Sequence, residues 1–529
     1  MNEQLARQVI EEAVKSGVTE FCVCPGNRNA PLYSALMNEP SLKKYFWYEE
    51  RSAAFFALGR ARALRKPVAV VTTSGTAAGE LLPATMEAHH TGDPLLLITA
   101  DRPRRFRGSG APQTCDQVGL YGAYSGFQQD VAHGDICSLD AWSRLQPAHL
   151  NVCFEEPFPA GKAVLQPSQS TLMAVNSVAE RVRPPIPHQA FAAMDQFLDG
   201  VDTPLVVVSA LKSEARSAVL KFLLQLNAPV FFEGVSGLRE EPTLQHLRVR
   251  RTDGLWACAE KAGYPIDGIL RIGGVPTFRL WRDVEEREGK IAVCSISDVP
   301  FSGISWADVL HVPVEQFFSQ YAIPGSFQSA AAERWLESEK RFGEQLHELF
   351  SEEPCAEPSL IHHLSRQMPI GAQVYVGNSL PIREWDLAAS DQKRGFEVTA
   401  SRGLNGIDGQ MSTFFGLSAP HRANWGIFGD LTTLYDLAGP WILPQLHGVH
   451  VNVVVVNNGG GQIFAKFRPD REFLNAHELQ FAPIAEMWKM HYERWDKVPE
   501  GIVGEGNRLI EIVPDARATV RFAKRLAGI

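Results

Sequence analysis

No apolar run in this chain of 529 residues approaches the ~18–20 residues that a membrane-spanning helix needs. Met1 to Gly17 reads as a mixed-charge amphipathic helix rather than a secretory leader, because it has no continuous apolar centre. The eight cysteines form no Cys-x-x-Cys pair. Cys22 and Cys24 lie in an apolar, strand-like run, where reduced core thiols are expected rather than metal ligands. A cytoplasmic, reducing compartment is therefore expected. Positive charge is in deficit, with a net charge of −9, so the basic footprint of a nucleic-acid-binding protein is missing. There is no short-period repeat of the solenoid kind. The segment Val70 to Glu80 could pass for a phosphate loop, but it lacks the Gly-Lys-Ser/Thr ending, which excludes a P-loop. What remains is an ordinary globular composition, 45% hydrophobic and 21% charged, at a length that holds roughly three domains.

Apolar strand-like runs alternate with helical patterns along the whole chain, which predicts an α/β fold built on parallel sheets. In the first third, strands are expected at Thr19 to Cys24, Pro67 to Thr73 and Pro94 to Thr99, with a helix at Ser52 to Leu64. A largely polar stretch from Gln166 to His188 ends in the proline-rich run Arg181 to Pro187 and reads as a linker. The middle third predicts strands at Leu205 to Ser209, Val230 to Phe232, Ile269 to Ile272 and Ile291 to Cys294, and a helix at Glu214 to Leu226. A charged helix, Ala331 to Phe350, and then Ser351 to Pro354 mark a second boundary. The last third predicts strands at Gln373 to Val376, Gly426 to Phe428, Val451 to Val456 and Leu509 to Val513. The expected domains are residues 1–180, 190–345 and 355–529.

Two of those strands end in polar pairs. Trp425 to Phe428 leads into Gly429-Asp430, and Val451 to Val456 leads into Asn457-Asn458. The stretch between them is long enough for one helix crossing between parallel strands, and ligands in such sheets sit beyond the carboxyl ends of the strands. A carboxylate and an amide there are hard oxygen donors. Mg²⁺ takes one or two such protein oxygens together with water and phosphate oxygens. The pair thus reads as a metal-diphosphate site, with ordinary strand-end polar residues as the alternative. It resembles the fingerprint of thiamine diphosphate (ThDP) enzymes, Gly-Asp-Gly followed after a similar crossover by Asn-Asn, with Leu431 in place of the last glycine. Enzymes of that kind need a glutamate that protonates N1′ of the cofactor's aminopyrimidine. Glu50, in Tyr48-Glu49-Glu50-Arg51 ahead of the helix Ser52 to Arg60, is the candidate, with Glu49 as fallback. A helix cap or dipole partner is the competing reading of either residue. Ser74, Gly75 and Thr76 then look like the segment beside the aminopyrimidine.

Further motifs narrow the resemblance. Cys24-Pro-Gly-Asn-Arg28-Asn-Ala-Pro-Leu32, Thr99-Ala-Asp-Arg102-Pro103, Gly110-Ala-Pro-Gln113, Gly377-Asn-Ser379-Leu-Pro-Ile-Arg383, Ser401-Arg402-Gly-Leu-Asn-Gly-Ile407-Asp-Gly409, Gly429-Asp-Leu-Thr-Thr-Leu-Tyr-Asp436 and Asn457-Asn-Gly-Gly-Gly-Gln462-Ile-Phe464 resemble the active-site segments of the 2-succinyl-5-enolpyruvyl-6-hydroxy-3-cyclohexene-1-carboxylate (SEPHCHC) synthases. These are ThDP-dependent enzymes of menaquinone biosynthesis, and they commonly carry leucine after that Gly-Asp. The resemblance covers the first and last thirds; the middle third matches weakly.

The resemblance implies three doubly wound parallel-sheet domains, which are pyrimidine-binding, central Rossmann-like and diphosphate-binding. It implies ThDP with Mg²⁺ (or Mn²⁺), and a homodimer or homotetramer whose active sites are shared between subunits. The implied reaction decarboxylates 2-oxoglutarate and adds the resulting succinic-semialdehyde carbanion to isochorismate in a 1,4-addition. Both substrates are dicarboxylates, and arginine binds carboxylates bidentately. Arg28, Arg102, Gln113 and Arg383 are expected around isochorismate, with Asn27 beside them. Arg402 and Ser379 are expected nearer the cofactor-bound adduct, so that Glu50, Arg383, Arg402 and Ser379 form the catalytic set. The metal would be held by Asp430, Asn457 and the carbonyl of Gly459. Ile407 would support the bent cofactor, Ile463 and Phe464 would wall the thiazolium, and Gly429, Leu431, Gly461 and Gln462 would line the diphosphate.

Several positions depart from the family pattern. Asn27 stands where serine is frequent, Asn29-Ala30 replaces small hydroxyl residues, and Ser401 replaces asparagine. In Gly273-Gly274-Val-Pro-Thr-Phe278-Arg279, Phe278 takes the position of a substrate-binding lysine, and Arg279 is expected to compensate. The alternatives are another ThDP-dependent 2-oxo-acid decarboxylase or carboligase, such as an acetolactate-synthase-like enzyme, and a ThDP-fold protein without catalysis.

Overall fold

The central strands of three parallel sheets come from the near-continuous apolar runs of the sequence, because strands covered by helices on both faces must be apolar on both faces. A computed structural model describes residues 1–156, 185–323, 325–502 and 504–529. Most of the first expected linker lies outside them. The first sheet contains β1 (Glu20–Val23), β2 (Lys43–Phe46), β3 (Val68–Thr72), β4 (Leu95–Asp101), β5 (Phe127–Val131) and β6 (Ala148–Cys153), in the order β2-β1-β3-β4-β6-β5. The second contains β7 (Pro204–Val208), β8 (Val230–Phe232), β9 (Arg248–Val249), β10 (Gly268–Ile272), β11 (Ala292–Ser297) and β12 (Leu310–His311), in the order β12-β11-β10-β7-β8-β9. That is the dinucleotide-fold order. The third contains β13 (Gln373–Val376), β14 (Glu397–Thr399), β15 (Asn424–Gly429), β16 (Val451–Val456), β17 (His491–Trp495) and β18 (Arg508–Ile512), in the order β14-β13-β15-β16-β18-β17. The first and third sheets therefore share one strand order, a repeat of topology that leaves no short period in the sequence.

β3, β4, β7, β10 and β18 are buried along their whole length, and all were expected. The strands that escaped sequence reading are mostly edges or polar in composition. β2 begins Lys43-Lys44 and is partly exposed, while β9 and β12 are two residues each. β6 is fully buried despite His149 and Asn151, because both have partners on β4. The hydroxyl of Thr99 bonds Nε2 of His149 at 2.7 Å and donates to Oδ1 of Asn151 at 3.0 Å. One expectation is corrected. The crossover from β15 to β16 is not a single helix but a six-residue helix, Asp430–Tyr435, followed by a 3₁₀ stretch, Gly439–Gln445. Pro440 and Pro444 have no N–H for an α-helical ladder.

The chain forms two compact units. One holds the first sheet together with Asp408–Pro420 and Leu434–Val449; the other holds the second and third sheets. Within the first unit the helix Glu50–Leu64 crosses the helix Gln410–Leu417 at two glycines. A Cβ on Gly59 would lie 2.1 Å from the carbonyl oxygen of Thr413, and one on Gly416 would lie 2.2 Å from that of Phe56. Asp436 fixes the same crossing. Its carboxylate accepts from the hydroxyl of Ser52 at 2.9 Å, the amide of Ser412 at 2.7 Å and the hydroxyl of Ser412 at 3.0 Å. Burial pushes its pKa up to about 6, against the pull of those donors. Gly416→Ala should destabilise this crossing by about 1–3 kcal/mol, the cost of overpacking a tight core. The measurement is the urea midpoint of the transition that unfolds the first unit, and an unchanged midpoint would mean that the helices can separate freely.

Candidate active site

The third sheet changes winding direction between β13 and β15, and at such a switch point the strand ends diverge and leave a crevice. In the second unit that crevice is a cavity of about 350 Å³. Four strand ends build it: Asn378 to Arg383 after β13, Arg402 to Ile407 after β14, Gly429 to Thr432 from the end of β15, and Asn458 to Phe464 after β16. Thr277 reaches it from the loop after β10. Of the expected residues, Ser379, Arg383, Arg402, Ile407, Gly429, Asp430, Leu431, Gly461, Gln462, Ile463 and Phe464 all line this one cavity.

Asp430 is 2% exposed and opens the helix Asp430–Tyr435. Its Oδ1 accepts from the amide of Leu431 at 2.6 Å, and its Oδ2 accepts from the amides of Gly459 and Gly460, each at 2.9 Å. Burial raises its pKa, while these amides and the nearby His477 lower it. The glycines are required here. Gly459 and Gly460 have φ of +80° and +129°, and a Cβ on Gly460 would fall 2.6 Å from the carbonyl oxygen of Leu474.

The structure shifts two expected positions by one residue. Asn457 does not line the cavity; its Nδ2 donates to Glu511 Oε1 at 2.6 Å and to the Leu479 carbonyl at 2.9 Å. Asn458 does line it, with Nδ2 turned back onto the Glu357 carboxylate and Oδ1 buried without a hydrogen-bond partner. Gly459 gives its carbonyl to the amide of His477 at 3.1 Å; Gly460 lines the cavity, and its carbonyl accepts from the amide of Gln462 at 2.8 Å. Asn457 continues the ladder of β16, so its side chain and that of Asn458 leave on opposite sides, and the positive φ of Gly459 and Gly460 then turns the backbone. Asp430 and the orphaned amide oxygen of Asn458 suit a hard divalent cation. Among the described residues no group of three His, Cys, Asp or Glu could hold one, so such a site depends on amide and carbonyl oxygens.

The cavity also carries two cations. Arg402 donates from Nη1 to Asn378 Oδ1 at 2.8 Å, and its Nε is buried without a partner. Arg383 is exposed at the rim; desolvation by the cavity wall and the charge of Arg402 lower its pKa. Among the described residues neither has a carboxylate within ion-pair distance, although Asp386 acts on both from further off and the chain has more acids than bases. Asn378 holds this corner together, donating to the carbonyls of Ser401 and Gly406 at 2.9 and 2.7 Å. Ser379 sits at φ +71°, ψ −129°, a conformation that costs a non-glycine residue about 1–3 kcal/mol.

Arg279, expected to compensate for Phe278, lies elsewhere. It is 56% exposed, pairs with Asp283 one helical turn on at 3.5 Å, and does not line the cavity. Phe278 is a core residue stacked on Phe231 at 4.0 Å between ring centroids. The loop instead presents Thr277, whose amide and hydroxyl donate to Glu233 Oε1 at 2.9 and 3.1 Å.

In the first unit the remaining candidates gather beyond the carboxyl ends of β1 to β4. Glu49 is the N-cap of its helix, accepting from the amides of Arg51 at 3.1 Å and Ser52 at 2.9 Å. Glu50 is half-buried and not used as the cap; burial and the charges of Glu49 and Glu80 raise its pKa, opposed by a backbone hydrogen bond. Arg28 is 6% exposed and binds Glu156, which Arg102 also binds at 2.7 Å. Asn27 and Gln113 are exposed. Ser74 is buried and Thr76 exposed, with Gly75 between them at φ +86°. The amide of Gly75 donates to Oε1 of Gln117 at 2.9 Å. Gln117 and Glu357 escaped the sequence reading, and Asn458 and Gly460 entered it only within their motifs, the metal being expected at Asn457 and Gly459. Nothing in composition separates Gln117 from Gln113, or the second asparagine of a pair from the first.

Ser379→Gly should release the strain at that position, of order 1–3 kcal/mol, against an unfolded-state entropy cost of about 0.4–1 kcal/mol. Calorimetry should then show a higher unfolding temperature; an equal or lower one would mean the backbone there is unstrained.

Residues 3–120 match the family described as thiamine pyrophosphate enzyme, N-terminal TPP binding domain. The chain is 40% identical to the SEPHCHC synthase of Bdellovibrio bacteriovorus over 529 residues, covering 99% of this chain and 98% of that relative. It is 35% identical to the SEPHCHC synthase of Akkermansia muciniphila over 99% of this chain and 98% of that relative. With that of Chloroflexus aurantiacus it shares 30% identity over 95% of this chain and 92% of that relative. With three parallel sheets, a cavity at the switch point of the third and this likeness along nearly the whole chain, the chain belongs to the SEPHCHC synthase family of ThDP-dependent enzymes.

Proposed function

We propose that this chain joins 2-oxoglutarate, with loss of CO₂, to isochorismate in menaquinone biosynthesis, using ThDP and a divalent cation, Mg²⁺ or Mn²⁺. The observation that carries the reading is one cavity holding Asp430 and the free Oδ1 of Asn458 beside two guanidiniums that, among the described residues, have no carboxylate within ion-pair distance. A site with two such cations calls for anionic ligands, and a dicarboxylate satisfies both. An enzyme specific for pyruvate would have no use for the second.

When bound, ThDP supplies the electron sink for decarboxylation. Asp430 and Asn458 would hold the cation, with the second lone pair of the Gly460 carbonyl beside its bond from Gln462, in place of the Asn457 and Gly459 expected from sequence. The glycines around them let the backbone approach a diphosphate. Ile407, Ile463 and Phe464 supply apolar walls that exclude water. Arg383 and Arg402 orient substrate carboxylates, with Ser379 as a hydrogen-bonding partner. Arg28 and Arg102 form a second carboxylate-binding pair that exchanges Glu156 for substrate. Glu50 holds a proton at N1′ of the aminopyrimidine, and its raised pKa suits that exchange.

The reading includes pyrimidine-binding (1–180), central (190–345) and diphosphate-binding (355–529) domains. It also includes a homodimer or homotetramer in which Glu50 of one subunit serves the Asp430 cavity of another. Phe464, Phe467 and Phe473, exposed by 48%, 72% and 51%, support a covered surface beside the cavity. Among the described residues no helix is long and apolar enough to cross a membrane. The eight free thiols, with no disulfide among them, agree with a reducing, cytoplasmic setting.

Incubation with 2-oxoglutarate, isochorismate, ThDP and Mg²⁺ should release CO₂ and give a product whose mass is the sum of the two substrates less CO₂. Release of CO₂ from pyruvate but not from 2-oxoglutarate would sink the assignment. Glu50→Gln should lower turnover by about 100-fold or more while ThDP still binds; turnover at the parental rate would remove Glu50 from the mechanism.

A further inference from the structure

Behind the cavity wall lies a carboxyl that the proposed chemistry does not use. Glu357 begins the helix Glu357–Gln367 and is 3% exposed. A glutamate at a helix start is ordinarily a solvated dipole partner; this one is buried and interacts with Glu384 of the helix Leu380–Ala388. Both of its oxygens accept from Nδ2 of Asn458, at 2.9 and 3.1 Å.

We infer that Glu357 is a positioning residue that sets the amide of Asn458, with its NH₂ held inward and its oxygen presented to the cavity. The argument is one of donors and acceptors. A side-chain amide can rotate to exchange its nitrogen and oxygen at little cost unless a neighbour distinguishes them. A carboxylate has only lone pairs to offer, so it accepts from the NH₂ and repels the carbonyl oxygen. The turn that satisfies Glu357 leaves Oδ1 of Asn458 buried, without a partner and on the cavity surface. An amide oxygen left so costs free energy unless something fills its place, and a hard cation is what the neighbouring Asp430 would share with it. Glu357 touches neither substrate nor cation; it acts through Asn458, as carboxylates behind metal ligands do. The inference rests on the metal-diphosphate reading of Asp430 and Asn458.

The test is Mn²⁺ binding to the full chain with saturating ThDP, followed through the electron paramagnetic resonance signal of free Mn²⁺ and needing no turnover. Glu357→Gln should weaken Mn²⁺ binding by about 10–100-fold, because a carboxamide offers NH₂ as readily as oxygen and lets Asn458 turn. Asn458→Ala and the double variant Glu357→Gln/Asn458→Ala should bind equally weakly, since the effect runs through Asn458. Parental binding by Glu357→Gln, or the same further loss in the Asn458→Ala background, would overturn the positioning role. If Glu357→Gln does not fold, Asn458→Asp examines the same contact from the other side. It adds negative charge and keeps an oxygen for the cation, yet opposes two carboxylates, so weaker Mn²⁺ binding is expected and equal or tighter binding would refute the role. Asp430→Asn separates the two levels. If it leaves Mn²⁺ binding unchanged, the metal reading fails and the inference with it; if it abolishes binding while Glu357→Gln does not weaken it, only the positioning role fails.

Discussion

The carboxylate of Asp430 accepts hydrogen bonds from the amides of Gly459 and Gly460 and so ties the end of β15 to the loop after β16. That tie holds open the place where the third sheet reverses its winding. Around it the chain accepts backbone angles that ordinary residues avoid, at Gly459, Gly460 and Ser379. The strain is tolerable because parallel strands buried on both faces hold the flanking backbone. The same tie consumes much of the hydrogen-bonding capacity of Asp430. The Oδ1 of Asn458 remains as a buried oxygen without a protein partner at the cavity surface.

Charge is distributed against the average of the chain. An acidic protein places Arg383 and Arg402 in one cavity with, among the described residues, no carboxylate within ion-pair distance, Asp386 acting on both from further off, and places Arg28 and Arg102 against Glu156. The repulsion between Arg383 and Arg402 is borne by the fold. In the first unit, Gln117 braces Gly75 and Glu49 caps the helix that carries Glu50. In the second unit, Glu233 braces Thr277.

Much of this was legible in the sequence. Strands such as β3, β7 and β16 announce themselves as unbroken apolar runs, and the polar residues that follow them mark strand ends. Edge strands were less legible. β2 and β17 face water on one side, so their composition is that of a loop. β6 hides because its polar residues are matched by partners on β4 that sequence alone does not pair with it. Arg279 lies outside the cavity for a related reason. Its neighbour Phe278 stacks in the core on Phe231, and a helix starting at Arg279 turns that side chain toward Asp283.

The sequence by itself determined the fold class, the family, the chemistry of the site and the short segments that carry it, because strand-end residues and glycines are local features with local physical causes. Tertiary structure decided which neighbour does what. It turned Asn458 rather than Asn457 and Gly460 rather than Gly459 to the cavity, gave Glu49 to a helix cap and left Glu50 free of it, and set Glu357 behind Asn458. Each choice depends on which way a side chain points and what meets it there, and those partners come from strands and helices far away along the chain.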